Sequence, residues 1–384
     1  MNARERVKLA LEHKEPDRVP FDLSATYVTG IHRNAYNRWR EALGLPKVEP
    51  RIFEMLQQLA WVDDDMVETL GVDVRPVTPG GSLTFGLEIK DMGHSTYFYD
   101  EWGIGWRMPK DGGMYYDMFD HPLAGDITQE TIDNLRGPDP QGPGRFMGMR
   151  ETARRVAEEE DRAVVVTQLT AGIVEISAWT RGYEDFYVDL AINHQLVGKL
   201  LDRVNDIKAA YWERALKEVG DYVDVMMLGD DFAGQDRLLM SPRTWRKLIK
   251  PRLKELFDFL HSKSLAKLFL HSCGSVREVI PDLIEIGLDI LNPVQVSAVG
   301  MDSAELKQEF GKDLVFWGGG VDTQRVLPYG TPEEVRAEVR RRLEDLMPGG
   351  GFVFTPVHNI QGDVPTENLM AMWDALREYG VYSH

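Results

Sequence analysis

The chain has 384 residues, 43% hydrophobic and 28% charged, the composition of a folded globular protein and not of a disordered or fibrous one. With 62 acidic against 44 basic side chains the net charge is −18, which argues against non-specific binding to nucleic acid or membrane surfaces. The only cysteine, Cys273, excludes an intrachain disulfide and leaves its thiol to packing or chemistry.

From the amino terminus, Met1–Arg18 reads as a charged helix with no apolar core of the signal-peptide kind. No apolar run reaches the ~18 residues of a spanning helix, so a cytoplasmic location is expected. Eight short apolar runs then recur between helical stretches: Val19–Leu23, Val72–Val77, Ala163–Leu169, Val223–Leu228, Leu268–Leu270, Ile290–Asn292, Leu314–Trp317 and Phe352–Thr355. They do not alternate cleanly with polar residues, which is how strands buried on both faces read. Between them Leu196, Leu200, Val204, Ile207 and Tyr211 keep helical spacing, as do Val335, Val339, Leu343 and Leu346. Ser241-Pro242 and Thr331-Pro332-Glu333-Glu334 are helix starts.

Eight strands alternating with helices predict an α/β fold, a (β/α)8 barrel with an N-terminal helical extension, as one domain over 1–384. A doubly wound open sheet is the competing arrangement. A β-rich insertion is expected between strands 2 and 3, at about 80–145. Within it Leu83–Asp120 carries Tyr97, Phe98, Tyr99, Trp102, Trp106, Tyr115 and Tyr116, a satellite core with one or two rings available to wall a pocket. The connector Gly137–Gly144, rich in proline and glycine, leads back to the barrel.

In a barrel the chemistry sits at the carboxyl ends of the strands. After the fifth run stand His271 and Cys273, two apart and so able to leave the strand on one side. After the eighth stands His358, placed to face the same mouth. Imidazole, thiolate and imidazole with one open position make a catalytic zinc set, whereas a structural site closes with four ligands. After the fourth run come Asp230 and Asp231, of which an extended segment can send only one into a given pocket; Asp231 is the candidate for proton transfer. The other candidates are Glu175 for catalysis and Gln168, Gln235, Asn292, Gln295 and Asp322 for substrate binding. Gly318-Gly319-Gly320 suit a phosphate cradle, but no P-loop lysine follows. The commoner roles of such residues are a buried cysteine, a satisfied core histidine and a helix-capping aspartate.

These stretches together resemble the uroporphyrinogen decarboxylase superfamily, and within it the cobalamin-dependent methyltransferase branch that includes methylcobalamin:coenzyme M methyltransferases and O-demethylase components. The likeness rests on Arg18-Val19-Pro20, Gly229-Asp230-Asp231 with Gln235, and Ser241-Pro242 through Lys250-Pro251. It continues with His271-Ser272-Cys273-Gly274, Asn292-Pro293-Val294-Gln295, Gly318–Asp322 and Pro356–Ile360 followed by Pro365-Thr366-Glu367-Asn368. The resemblance implies a (β/α)8 barrel, Zn2+ and a corrinoid (methylcobalamin) carried on a partner protein. It further implies methyl transfer between that corrinoid and a small methylated substrate or thiol. Methyltransferases of that branch hold zinc through the His-x-Cys pair and a later cysteine; here His358 stands in the third place. Porphyrinogen decarboxylases carry an arginine-rich amino-terminal motif for the substrate carboxylates, and the matching Pro20–Tyr27 has no arginine. The runner-up is a metal-free carboxy-lyase using Asp231 and His358, and the third reading a non-enzymatic binding barrel. A homodimer is the default assembly.

Overall fold

The computed structural model describes residues 1–382. After the helices Ala3–Leu11 and Arg33–Ala42 comes a small antiparallel ribbon, β1 (Ile52–Glu54) with β2 (Leu59–Ala60). The apolar run around residue 74 forms β3 (Val74–Val77). Next is an antiparallel sheet of β4 (Lys90–Asp91), β5 (Ser95–Tyr99), β6 (Gly105–Pro109) and β7 (Asp117–Asp120). The chain then returns through β8 (Ala163–Thr167), β9 (Val225–Gly229), β10 (Lys267–His271), β11 (Ile290–Asn292), β12 (Val315–Trp317) and β13 (Phe352–Val353). Among the described residues β3 and β8–β13 make one parallel sheet, ordered β13-β12-β11-β10-β9-β8-β3. Each strand lies beside its sequence neighbour, as a curled, barrel-like α/β sheet requires.

Helices cover the outer face. In His194–Val219 the residues Leu200, Val204 and Tyr211 are buried at the helical spacing the sequence displays. Ser241 accepts from the Thr244 N–H with Pro242 at the first turn, and Thr331 forms a capping box with Glu334.

The first apolar run differs from its expectation. Val19–Leu23 forms no extended strand; Phe21 makes a single parallel bridge to Phe354. Pro20 O accepts from Phe354 N–H, and Asp22 N–H donates to Phe354 O. On the other side Phe21 O accepts from Asp73 N–H. Residues 20–22 therefore bond beyond β13 and just before β3, at both edges of the parallel sheet. Pairing stops there because Pro20 lacks an N–H and because the chain turns at once: Ala25 N–H bonds the Asp22 carboxylate and Ser24 has φ +69°.

The excursion also differs at its start. Leu83–Ile89 forms no strand and leaves Leu83, Leu87 and Ile89 exposed, since no neighbouring segment pairs with it. From β5 onward alternation sorts the rings: Phe98, Trp106 and Tyr116 are buried, whereas Tyr99 lies outside. The base of the excursion is pinched, with Gly80 N–H donating to Arg145 O and Leu83 N–H to Pro143 O. Gly144, at φ +95°, is needed here because a Cβ would stand 2.8 Å from Gly81 O.

Candidate active site

β10 ends on His271, and Cys273 follows it on the same side of the extended chain. Their Sγ and Nε2 atoms stand 3.3 Å apart. The loop after β13 delivers His358, whose ring centroid is 5.3 Å from that of His271. One donor atom from each of the three lies within 4.8 Å of the others.

The histidine is oriented from below. Asn292, at the end of β11, gives its Nδ2 to Trp317 O at 2.7 Å, which turns its Oδ1 toward His271 Nδ1. Nδ1 then carries the proton and Nε2 presents a lone pair toward Cys273. Burial pushes both imidazoles down to about 4, so they are neutral at pH 7, the state a metal ligand needs. Burial, with Asp231 and Glu175 nearby, raises the Cys273 thiol. Two neutral imidazoles and a thiol that a cation would ionise fit Zn2+, whose bonds of ~2.0–2.3 Å would draw the three donors together.

Asp231 faces the cluster. Its Oδ1 accepts from Cys273 N–H at 2.8 Å and lies 3.7 Å from His271 Nε2. Asp230 turns the other way and accepts from the N–H groups of Val174 and Glu175, at the start of helix Ile173–Arg181. Gly172 makes room for it, since a Cβ there would lie 2.0 Å from the Asp230 carboxyl carbon. Burial raises Asp230 to about 7 despite those bonds. Glu175, buried beside Asp231 and Asp230, is raised well above the ordinary carboxyl range. Lys208, brought down to about 8 by burial, donates to Gln168 Oε1 at 2.9 Å.

Two cavities meet at the cluster. The larger, about 710 Å³, is walled by Glu175, Asp231, Gln168, His271 and His358 on the barrel side and by rings of the excursion on the other. The smaller, about 260 Å³, is lined by Gln235, Gln295, Cys273, His358, Thr323 and Gln324. Asn292 requires a correction. Expected to bind substrate, it is fully buried and both ends of its amide are engaged internally, so it is a positioning residue for His271. Asp322 lines neither cavity and accepts from the Gln324 N–H. Gln168 reaches the larger cavity with its amide already bonded to Gly229 O and Lys208. Gln295 holds the Gly274 N–H. The glycines after β12 are required by close packing: a Cβ on Gly318 would lie 2.9 Å from Asn292 Nδ2, and one on Gly320 2.3 Å from the Phe354 ring.

Sequence reasoning passed over Glu54, Asp100, Trp179 and Tyr183 on the larger cavity, and Lys208 beneath it. Only Lys208 had left a signal, a lysine one residue beyond Ile207 in the buried stripe of its helix.

Residues 103–379 match the family described as Uroporphyrinogen decarboxylase (URO-D). The chain belongs to the uroporphyrinogen decarboxylase family. Curated uroporphyrinogen decarboxylases from Psychromonas ingrahamii and Actinobacillus succinogenes are 27% and 28% identical to it. The first alignment covers 71% of this chain and 75% of the relative, the second 66% and 69%. A solved structure titled as a methyltransferase from Methanosarcina mazei superposes with a TM-score of 0.64 at 22% identity, over 99% of both chains, and so shares the fold. Within the uroporphyrinogen decarboxylase fold the cluster occupies the strand-end position where barrel enzymes keep their chemistry. Among the described residues no helix is long and apolar enough to cross a membrane.

Proposed function

We propose that this chain is a zinc-dependent methyltransferase that moves a methyl group between a small substrate and the cobalt of a corrinoid carried by a separate protein. The observation that carries the reading is the convergence of His271 Nε2, Cys273 Sγ and His358 within 4.8 Å, at the meeting of two cavities. The superfamily's (β/α)8 barrel, with residues 20–22 as its first stave and about 80–145 as its insertion, is the architecture we assign to it.

His271, Cys273 and His358 would hold the metal, and Asn292 keeps the His271 lone pair aimed at it. Zinc, when bound, supplies Lewis acidity to the heteroatom that gives up or accepts the methyl group. Glu175, whose burial favours the protonated carboxyl, holds a proton at the cavity wall for a leaving heteroatom. Asp231 anchors the Cys273 backbone and adds negative charge beside the ligands. The aromatic wall offers apolar surface to the body of a substrate.

The second reading, a metal-free carboxy-lyase using Asp231 and His358, is favoured by the relatives' printed name. Against it stand a larger cavity with no lysine or arginine among its described lining residues and a thiol with no use in that chemistry. Metal analysis of the purified protein, with methyl transfer from methylcobalamin assayed beside CO2 release from a carboxylated substrate, tests the two. About one zinc per chain with methyl transfer is expected; metal-free protein that releases CO2 overturns the proposal.

A further inference from the structure

Apart from the metal-ligand cluster, the wall of the larger cavity carries chemistry that the methyl-transfer reading does not use. Trp106, Tyr115 and Trp179 line it, and two carboxylates, Glu54 and Asp100, stand among such rings. Glu54 accepts from the N–H groups of Leu56 and Gln57 at 2.8 and 2.7 Å. Asp100 accepts from the N–H groups of Trp102 and Ile104 and from the Trp106 indole N–H, at 2.9–3.0 Å. Bonds of this kind favour the ionised form and fix where its charge lies. Neither carboxylate has an ion-pair partner among the described residues, although most of the chain's half-buried acids do. Burial pushes both carboxyls above their ordinary range, a cost that a bound cation would remove.

We propose that this wall recognises a cationic, ammonium-type tail on the substrate, whose reacting heteroatom lies at the cluster. The inference rests on the methyl-transfer reading only for what happens at the reacting end. Aromatic faces attract a desolvated ammonium through their quadrupoles, and fixed carboxylates supply the counter-charge. A sulfonate or carboxylate tail would meet like charge with no lysine or arginine to answer it.

The test is calorimetric titration of the whole purified protein with three probes of one shape: 3-hydroxyphenyltrimethylammonium, the neutral 3-tert-butylphenol and the anion 3-hydroxybenzenesulfonate. The ammonium should bind at least ~10-fold tighter than the neutral isostere, with no measurable binding of the sulfonate. Glu54→Gln and Asp100→Asn should each reduce that preference, and Tyr115→Leu, at a ring already 43% exposed and so safe for folding, should reduce it too. Equal or tighter binding of the neutral probe, binding of the sulfonate, or no binding by any probe overturns the inference. Zinc measured on the same samples separates the two proposals. Stoichiometric zinc without cation preference overturns only the tail site, and cation preference in zinc-free protein overturns only methyl transfer.

Discussion

The strand ends of the parallel sheet and the antiparallel excursion above them meet at one cavity and are built on opposite terms. At the strand ends nearly every polar atom is committed: Asn292 to His271 and Trp317, Asp231 to Cys273, Gln295 to Gly274, Asp230 to a helix start. In the excursion rings pack on one another, as Phe98 does on Tyr116, and on the barrel, as Trp106 does on Trp179, around the hydrogen-bonded Asp100, and its hairpin edges are exposed. Committed hydrogen bonds fix a geometry to fractions of an ångström, as reacting atoms require. Ring packing tolerates adjustment, as recognition of a substrate body requires. On the proposed function, chemistry belongs to the first region and selection to the second.

The sharpest way to break that division is Cys273→Ala. Zinc content should fall from about one per chain to near zero and methyl transfer by roughly 10³-fold or more, with the fold retained. Full zinc occupancy in the variant would remove Cys273 from the ligand set. Asn292→Ala comes next, because it leaves His271 free to rotate. Metal affinity read by chelator competition should drop ~10–100-fold, and Asn292→Asp, which keeps the acceptor, should recover part of it. Unchanged affinity would make the strand-end hydrogen bonds ornamental.

Third is acid sensitivity. His271 and His358 are held neutral with values near 4, below the unfolded ~6.5, so the unfolded chain binds more protons between those limits. The rings' share of stability is therefore lost as pH falls from about 6.5 toward 4, whereas Asp230, Glu175 and Asp231, raised by burial, gain over the same range. Chemical denaturation of metal-free protein at pH 7 and pH 5, set beside a His271→Asn/His358→Asn double variant, should show the wild type losing stability relative to the variant on acidification. The smallest effect belongs to the excursion: Tyr115→Leu should change stability by less than ~0.5 kcal/mol and leave zinc content alone while shifting KM a few-fold. A large loss of kcat there would mean that the excursion takes part in the chemistry.

What was legible in the sequence follows the same divide. Buried parallel strands announce themselves as short, mostly apolar runs, and seven of them stand near their expected places. Val19–Leu23 was misjudged in length because its pairing depends on Phe354, far along the chain, and on a turn at Ser24. His271 and Cys273 were legible because alternation along an extended strand decides which side chains share a side. Asn292 was misread because an amide at a strand end looks the same whether it faces a ligand or serves a histidine. Glu54 and Asp100 were invisible, since a carboxylate in a polar turn carries no mark of the cavity that tertiary packing brings to it.

The bonds of residues 20–22 have a consequence for how the molecule is assembled. Phe21 and Phe354 lie far apart along the chain, and Val19 N–H also bonds Gly380 O. These main-chain bonds cannot form on a ribosome until Phe354 has emerged, so residues 20–22 wait for a segment made much later. Loop closure over such a span is slow, and it places the seam of the fold between residues 19–22 and their partners Phe354 and Gly380. A circular permutant whose linker carries the chain from beyond Gly380 to before Val19, opened in the exposed stretch near Gly86, would turn that long-range seam into a local contact.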